Sequence, residues 1–454
     1  MGIQMKDALL LLWRGDFPEY DMAEENTTEE KKEFYLEKKD LYIDNGSIVG
    51  IGERPPEFHA DKILDGTNRL VMPGLINCHT HAYMTIFRNC ADDLSFPDWL
   101  FGNISPLEDK LVEEDAYWGA KLAIMEMIRS GTTCFTDMHM NIHQTCRAVA
   151  ETGIRAVITR GLVGDGEDEG GKRRIGEALE EMERWKQEER LNFMLAPHAP
   201  YTCSQKYLSQ ITQIAKEHQV GIHIHLSESQ TEMEDMRQDH DCTPIEYAKD
   251  AGIFEVPVLA AHCVNLNDSD RRILKEANAS IATNPVSNMK LGNGFADVEA
   301  MLEAGINVCI GTDGAASNNS LNMFHEMNML GLIHKGNKKK AQCISAMEVL
   351  RMATINGAKA LGMEDKIGSI RVGKRADLIM IDLNAPQLRP LNDPISSLVY
   401  SANGSEVSTV MVDGRILMED GVLCDIDADK IYQELEDRSG RIGARKTGGY
   451  ENEQ

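Results

Sequence analysis

Between Leu70 and Gly362, short apolar runs alternate with amphipathic stretches, and this alternation leaves few architectures open. Leu70–Cys78, Thr132–Met138, Ile154–Leu162, Phe193–Pro197, Val220–Leu226, Val256–His262, Ala279–Thr283 and Asn307–Thr312 read as eight strands. Glu113–Ser130, Glu177–Glu188, Ser204–His218, Thr243–Ala251, Ser269–Ala277 and Asp297–Ala304 read as helices between them. Eight strands, each followed by a helix or a long connection, predict an α/β chain folded as a (β/α)8 TIM barrel. Several strands are apolar throughout, as strands covered on both faces must be. A doubly wound open sheet is the competing architecture, but no glycine-rich phosphate fingerprint follows the first strand.

The chain ends read differently. Ala8–Trp13 and Leu41–Ile51 read as strands, the second turning at Asn45-Gly46. Between them Glu24–Lys39 is a charged insert that reads as a solvated loop or short helix. After a helix over Ser345–Leu361, the stretch Gly368–Leu423 returns to short strands with turns at Asp413-Gly414 and Asp420-Gly421. The expected organisation places residues 1–70 and 366–424 in a small flanking β-sandwich domain and residues 71–365 in the barrel. Residues 425–454 form a polar tail, expected to be part helix and part disorder.

Composition excludes several function classes. A formal net charge of −26 argues against binding nucleic acid or an anionic membrane by a basic patch, and no apolar run approaches membrane-spanning length. The 10 cysteines show no paired CxxC spacing and no secretory signal precedes them, so reduced thiols in a cytoplasmic protein are expected. A homo-oligomer is compatible with a chain of 454 residues, though no interface stripe is legible.

Active sites of such barrels sit at the carboxyl ends of the strands. Those ends carry His79 and His81 on the first strand, His198 after the fourth, His223 and His225 on the fifth, His262 on the sixth and Asp313 after the eighth. The chain has only 13 histidines, so this clustering is not what chance distributes. Side chains two apart on a strand share a face, so His79 and His81 converge. Together with His225 and Asp313 they offer three nitrogens and one carboxylate to a divalent metal, with a position left for water or substrate. His223 is a rival to His225; His225 is favoured because it stands nearer the strand end, leaving His223 as a packed or supporting residue. A binuclear site would need a bridging ligand, often a modified lysine on strand four, and the nearest following lysine is Lys206, so one metal is expected. Zinc suits these donors, and iron or manganese would also fit.

A metal lowers the pKa of water toward neutrality. Attack of that water on an sp² ring carbon needs a proton on the adjacent ring nitrogen. Glu228, three residues past His225, is placed to supply it; Asp313 can accept the water's proton and His262 can polarise the water.

At Pro73-Gly74-Leu75 through His81, His225-Leu226-Ser227-Glu228, Ala261-His262-Cys263 and Gly311-Thr312-Asp313 the chain resembles the amidohydrolase superfamily. Within it the resemblance is to 5-methylthioadenosine/S-adenosylhomocysteine deaminases, supported by Ala91-Asp92-Asp93-Leu94, Trp99-Leu100, Met125 through Thr133 and Asn284-Pro285-Val286-Ser287-Asn288. The resemblance implies hydrolytic deamination of an adenine nucleoside. It further implies that Glu108 accepts the ribose hydroxyls, Trp99 lines the nucleoside pocket, His198 contacts the purine and Arg160 reaches the substrate's far end. A second Arg follows a Gly-Gly pair in the family; here Gly170-Gly171 precedes Lys172, Arg173 and Arg174, and Arg173 is taken for the role, with its neighbours left open. Ser317 is counted among the substrate contacts, whereas His139 and His143 read as loop residues. The competing readings are a hydrolase of another ring (guanine, pterin, cytosine or a chlorotriazine) and a non-catalytic scaffold. Retention of all four metal-binding residues and Glu228 argues against the scaffold.

Overall fold

The structure is a computed structural model that describes residues 1–17 and 33–444. Its centre is a ring of eight parallel strands: β1 (Leu75–Thr80), β2 (Thr132–His139), β3 (Arg155–Leu162), β4 (Leu191–Pro197), β5 (Ile222–Leu226), β6 (Val258–His262), β7 (Ser280–Thr283) and β8 (Asn307–Ile310). Each strand is hydrogen-bonded to the next in sequence order. The seam between β8 and β1 is stitched just where the site begins: the Thr312 and Asp313 N–H groups reach the His79 carbonyl at 3.1 and 2.9 Å. Asn77 adds two bonds across the seam, donating to Thr312 Oγ1 at 2.8 Å and accepting from the Thr312 N–H at 3.0 Å. The (β/α)8 barrel expected from the alternating pattern is therefore the fold. The lower barrel is plugged by Ile76, Cys78, Val157, Leu259, Cys309 and, from below, Met363 and Ile367, and the histidines gather toward the carboxyl end.

The run expected as one strand over Leu70–Cys78 is two strands. Arg69–Pro73 belongs to the flanking sheet and β1 to the barrel, with the break at Gly74. A Cβ at Gly74 would lie 2.0 Å from Thr133 Oγ1, so only glycine lets the chain pass between the two sheets there. Both halves are apolar because both are covered, which is why hydropathy alone does not reveal the break.

Strands from both chain ends join in one nine-stranded mixed sheet. Arg69–Pro73 pairs in parallel with Ile3–Trp13 and antiparallel with Leu378–Asp382. The Asn45-Gly46 turn connects Phe34–Asp44 to Ser47–Ile51 with φ of 47° and 78°, the left-handed pair a two-residue hairpin needs. The charged insert is strand rather than loop from Phe34 to Lys39; its residues up to 32 lie outside those described. Arg155 at the foot of β3 ties barrel to sheet, donating to Asp377 Oδ2 and Asp413 Oδ1, each at 2.7 Å.

The helix expected over Ser345–Leu361 is also divided, into Ala346–Met352 and Ile355–Ala360. The Ala353 carbonyl at the break accepts the Ile76 N–H at 2.9 Å, so the interruption feeds a backbone acceptor to β1. The described part of the tail holds a helix, Ala428–Ile442, packed on Glu113–Arg129 through Asp115, which accepts from Arg438 and Arg441. Among the described residues no helix is long and apolar enough to cross a membrane.

Candidate metal centre and active site

The hydrogen bonds at the carboxyl end of the barrel fix which ring nitrogens carry protons. His81 Nδ1 lies 2.8 Å from the Met138 carbonyl and His225 Nδ1 lies 2.8 Å from the His198 carbonyl. A carbonyl only accepts, so both rings donate from Nδ1 and both carry a lone pair on Nε2. Those two Nε2 atoms face each other at 3.4 Å, an arrangement that repels unless a cation sits between them. Asp313 Oδ1 completes the group, 3.5 Å from His79 Nε2 and 3.4 Å from His81 Nε2. His79 Nε2 is buried and has no hydrogen-bond partner among the described residues. The ligand atoms of His79, His81 and Asp313 lie within 4.8 Å of one another, as do those of His79, His225 and His262. Imidazole lone pairs and a carboxylate converging in this way suit a divalent ion. Burial pushes the His79 pKa down to about 3, so its lone pair is open at neutral pH.

The carboxylate is pre-aimed. Asp313 Oδ2 accepts from Ser287 Oγ at 2.6 Å and Ser317 Oγ at 2.7 Å, which turns Oδ1 toward the histidines. Ser317 is therefore a support for Asp313 and is absent from the cavity wall, in contrast to its expected substrate contact. His223 is likewise a support: its Nε2 lies 2.9 Å from His79 Nδ1. Burial would raise the Asp313 carboxyl, but His79, His262 and His81 together hold it well below the usual range.

Glu228 and His262 stand beside this cluster. Glu228 Oε1 accepts from Asn293 Nδ2 at 3.1 Å, and Oε2 is 3.7 Å from His262 Nε2. His262 Nδ1 is 2.9 Å from Asn288 Oδ1, which leaves its Nε2 open toward the cavity side. The Glu228 N–H is held by Glu232 Oε2 at 2.7 Å. Burial, reinforced by the charge of Asp313, lifts Glu228 to about 8. The shift is in the direction a proton donor at neutral pH needs. Ser227, His262, Cys263 and Asp313 all adopt positive φ, between 50° and 69°. Left-handed backbone at four non-glycine residues is costly, and its concentration at the ends of β5, β6 and β8 marks the place where side-chain aim matters most.

These residues open into a cavity of about 310 Å³ whose wall includes His81, His225, Glu228, His262, Asp313, Glu108, Trp99 and His198. Trp99 is fixed by its Nε1–H to the Ala316 carbonyl at 3.2 Å. Glu108 accepts from the Tyr83 hydroxyl, and burial raises its carboxyl. His198 is held near 4 by burial and the charges of His81 and His262, with Nδ1 3.0 Å from Thr202 Oγ1. Arg160 and Arg173 do not line the wall. The Arg160 guanidinium is spent on Glu177 and on the Gly161 carbonyl at 2.6 Å, and Arg173 is 68% exposed against the same Glu177. Arg174 lines the cavity instead, donating to the Val163 carbonyl at 2.9 Å. His139, read as a loop residue, ends β2 buried against Tyr83 and lines the cavity. Tyr83, Phe101, Met140 and Tyr201 were not legible as pocket residues, because the short helical turns and the loop that carry them are too brief to show a periodicity.

Known proteins resemble this chain over most of its length. The family model described as "Amidohydrolase family" matches residues 70–417. A 5-methylthioadenosine/S-adenosylhomocysteine deaminase of Thermoanaerobacter pseudethanolicus is 45% identical over 409 residues, covering 90% of this chain and 95% of the relative. The relative of that name in Caldanaerobacter subterraneus subsp. tengcongensis is 46% identical, covering 90% of this chain and 94% of its own. Among solved structures, an adenosine deaminase from Xanthomonas campestris with bound zinc superposes with a TM-score of 0.89 at 28% identity, covering 98% of this chain and 99% of that one. An atrazine chlorohydrolase from Arthrobacter aurescens, at 22% identity and a TM-score of 0.85, covers 96% of this chain and 100% of its own and shares the fold. The chain belongs to the amidohydrolase family.

Proposed function

We propose that this chain deaminates adenine nucleosides by hydrolysis, taking S-adenosylhomocysteine, 5'-methylthioadenosine and adenosine to inosine-type products and ammonia, with one zinc ion held by His79, His81, His225 and Asp313. The observation that carries the reading is a single cavity in which Glu228 and His262 meet Glu108 and Trp99. The first pair suits ring chemistry, and the second suits a ribosyl group. The names of relatives 41–46% identical support the same substrates. The zinc bound in the Xanthomonas structure supports the metal. The ten cysteines, none of them in a disulfide, support a reducing compartment such as the cytoplasm.

A divalent ion in this cage lowers the pKa of water toward neutrality. The chain's residues then handle the protons. Glu228 donates its proton to purine N1 as the water oxygen adds to C6. Asp313 takes one proton of the water and passes it to the amino group, and the C6–N bond breaks to release ammonia. The second water proton returns to Glu228 as the C6 carbonyl forms. His262 Nε2 holds the water by accepting a hydrogen bond. Glu108 accepts the ribose hydroxyls, Trp99 covers an apolar face, His198 meets the purine edge and Arg174 stands toward the far end.

The second reading is a hydrolase of another ring. The guanine deaminase of C. acetobutylicum, 20% identical, and the triazine hydrolases share only the fold. Steady-state ammonia release by zinc-loaded protein separates the two. Adenosyl compounds should turn over while adenine, guanine and a chlorotriazine do not. Turnover of a free base or the triazine alone would overturn the ribosyl reading.

A further inference from the structure

We propose that His223 and Thr159 are positioning residues for His79: they hold its ring proton on Nδ1 and so present Nε2 as the lone pair offered to the metal. The inference rests on the metal centre proposed above. Thr159 Oγ1 lies 2.8 Å from the Asp137 carbonyl, which can only accept, so the hydroxyl's single proton is committed there. Thr159 Oγ1 is therefore an acceptor toward His223 Nδ1 at 3.2 Å, and His223 carries its proton on Nδ1. His223 Nε2 then holds a lone pair, and the 2.9 Å contact to His79 Nδ1 requires His79 to donate. The His79 proton is on Nδ1 and its Nε2 is open, buried and without a partner among the described residues. The two rings meet edge to face, with planes at 83°.

Strand geometry explains why β5 supplies both kinds of histidine. His223 and His225 share a face, so the second reaches the strand end and the first stands one layer lower inside the barrel. There it meets Thr159 of β3 and His79 of β1. His81 and His225 are aimed by backbone carbonyls; His79 alone of the three is aimed by a side-chain relay, which substitution can break without touching a ligand. Outer partners of metal-bound histidines commonly govern affinity by about 10- to 100-fold.

The test uses Thr159→Val, Thr159→Ser and His223→Phe in the full chain. Zinc affinity is read by chelator competition, the visible spectrum is read after cobalt loading, and the melting temperature is read with metal removed. Thr159→Val and His223→Phe should weaken zinc by roughly 10- to 100-fold and shift the cobalt bands. Thr159→Ser, which keeps the hydroxyl, should restore both. In the double variant Thr159→Val should add almost nothing to His223→Phe, because the two act through one chain of bonds. Zinc affinity within twofold of the unaltered chain in both single variants would overturn the inference. So would losses that multiply in the double variant, or losses matched by an equal fall in metal-free melting temperature. Should His223→Phe fail to fold, the Thr159 pair decides alone. If the unaltered chain binds no divalent ion, the metal-centre reading itself fails.

Discussion

Replacing Glu228 by Gln separates proton delivery from everything else the site does. The substitution keeps the side chain's shape, and the amide oxygen can accept the same bond that Asn293 Nδ2 makes to Oε1 at 3.1 Å. The residue is not one of the clustered His79, His81 and Asp313 group, so metal content should stay at the level of the unaltered chain. What is lost is a proton. Burial and the charge of Asp313 lift the Glu228 pKa to about 8, which favours the protonated carboxyl at pH 7. A glutamine cannot release that proton to a ring nitrogen or recover it afterwards. Positioned acid–base groups contribute about 10²- to 10⁴-fold, which is roughly 3–5 kcal/mol of barrier. Glu228 acts in both proton additions and returns, so the upper half of that range is expected for kcat, with KM little changed. The pH profile supplies a second readout. In the proposed mechanism the protonated form is the active one, so kcat/KM of the unaltered chain should fall as pH rises through about 8, and the residual activity of the variant should lack that limb. The assay is steady-state ammonia release from adenosine with metal analysis of the same sample. Turnover within tenfold of the unaltered chain, with full metal, would refute the proton assignment.

Glu108→Gln should raise KM for adenosine about tenfold or more with kcat little changed, since the loss falls on hydroxyl recognition; steady-state kinetics on adenosine and on 2',3'-dideoxyadenosine, whose ribose lacks those hydroxyls and should be insensitive to the change, check this. The double change Ser287→Ala with Ser317→Ala removes both donors to Asp313 Oδ2 and should weaken zinc by about tenfold or more in chelator competition, with the cavity-wall residues untouched. Asp115→Asn should loosen the carboxyl-terminal helix and cost about 2 kcal/mol in urea unfolding, because Arg438 and Arg441 both lose the negative charge and one of them meets an amide NH2 in place of a carboxylate oxygen. Burial would raise Asp115, but Arg441, the Val112 N–H and Arg438 hold it below its ordinary value of 3.8. A depressed carboxylate stabilises the fold above its unfolded pKa and loses that contribution as pH falls, so unaltered and Asp115→Asn proteins should converge in stability below about pH 3.8.

The supports around the site form a consistent scheme. Each proposed ligand or proton carrier is held at its far side by a group that cannot compete for substrate. A carbonyl aims His81 and another aims His225, two serines aim Asp313, Asn288 aims His262 and Glu232 anchors the Glu228 main chain. The positive φ angles at Ser227, His262, Cys263 and Asp313 are sustained by these bonds and by the stitched seam between β8 and β1. Precision at the centre is thus a property of the barrel rim rather than of any one loop.

Sequence by itself carried the barrel and the identity of its polar rim, because strand alternation and strand-end chemistry are local properties. Runs of five to nine residues, several of them apolar throughout, mark covered strands, and histidines at their ends stand out against a background of only 13. His79, His81, His225, Glu228, His262 and Asp313 were legible for that reason. Four things depended on tertiary structure. The division at Gly74 is invisible because the strands on both sides are equally apolar, and only the crowding by Thr133 reveals it. The split at Ala353 follows from a carbonyl needed by β1, 277 positions earlier in the chain at Ile76. The choice among Lys172, Arg173 and Arg174 turned on helix rotation: Glu177 takes Arg173 and Arg160, leaving Arg174 to face the cavity. Ser317, expected at the substrate, turns away to Asp313, and His223 turns to His79, because a hydrogen-bond partner from another strand claims each one. Residue type and strand position set what a side chain can do; which neighbour claims its last lone pair or proton is decided by residues distant in sequence, and only the packed barrel brings those together.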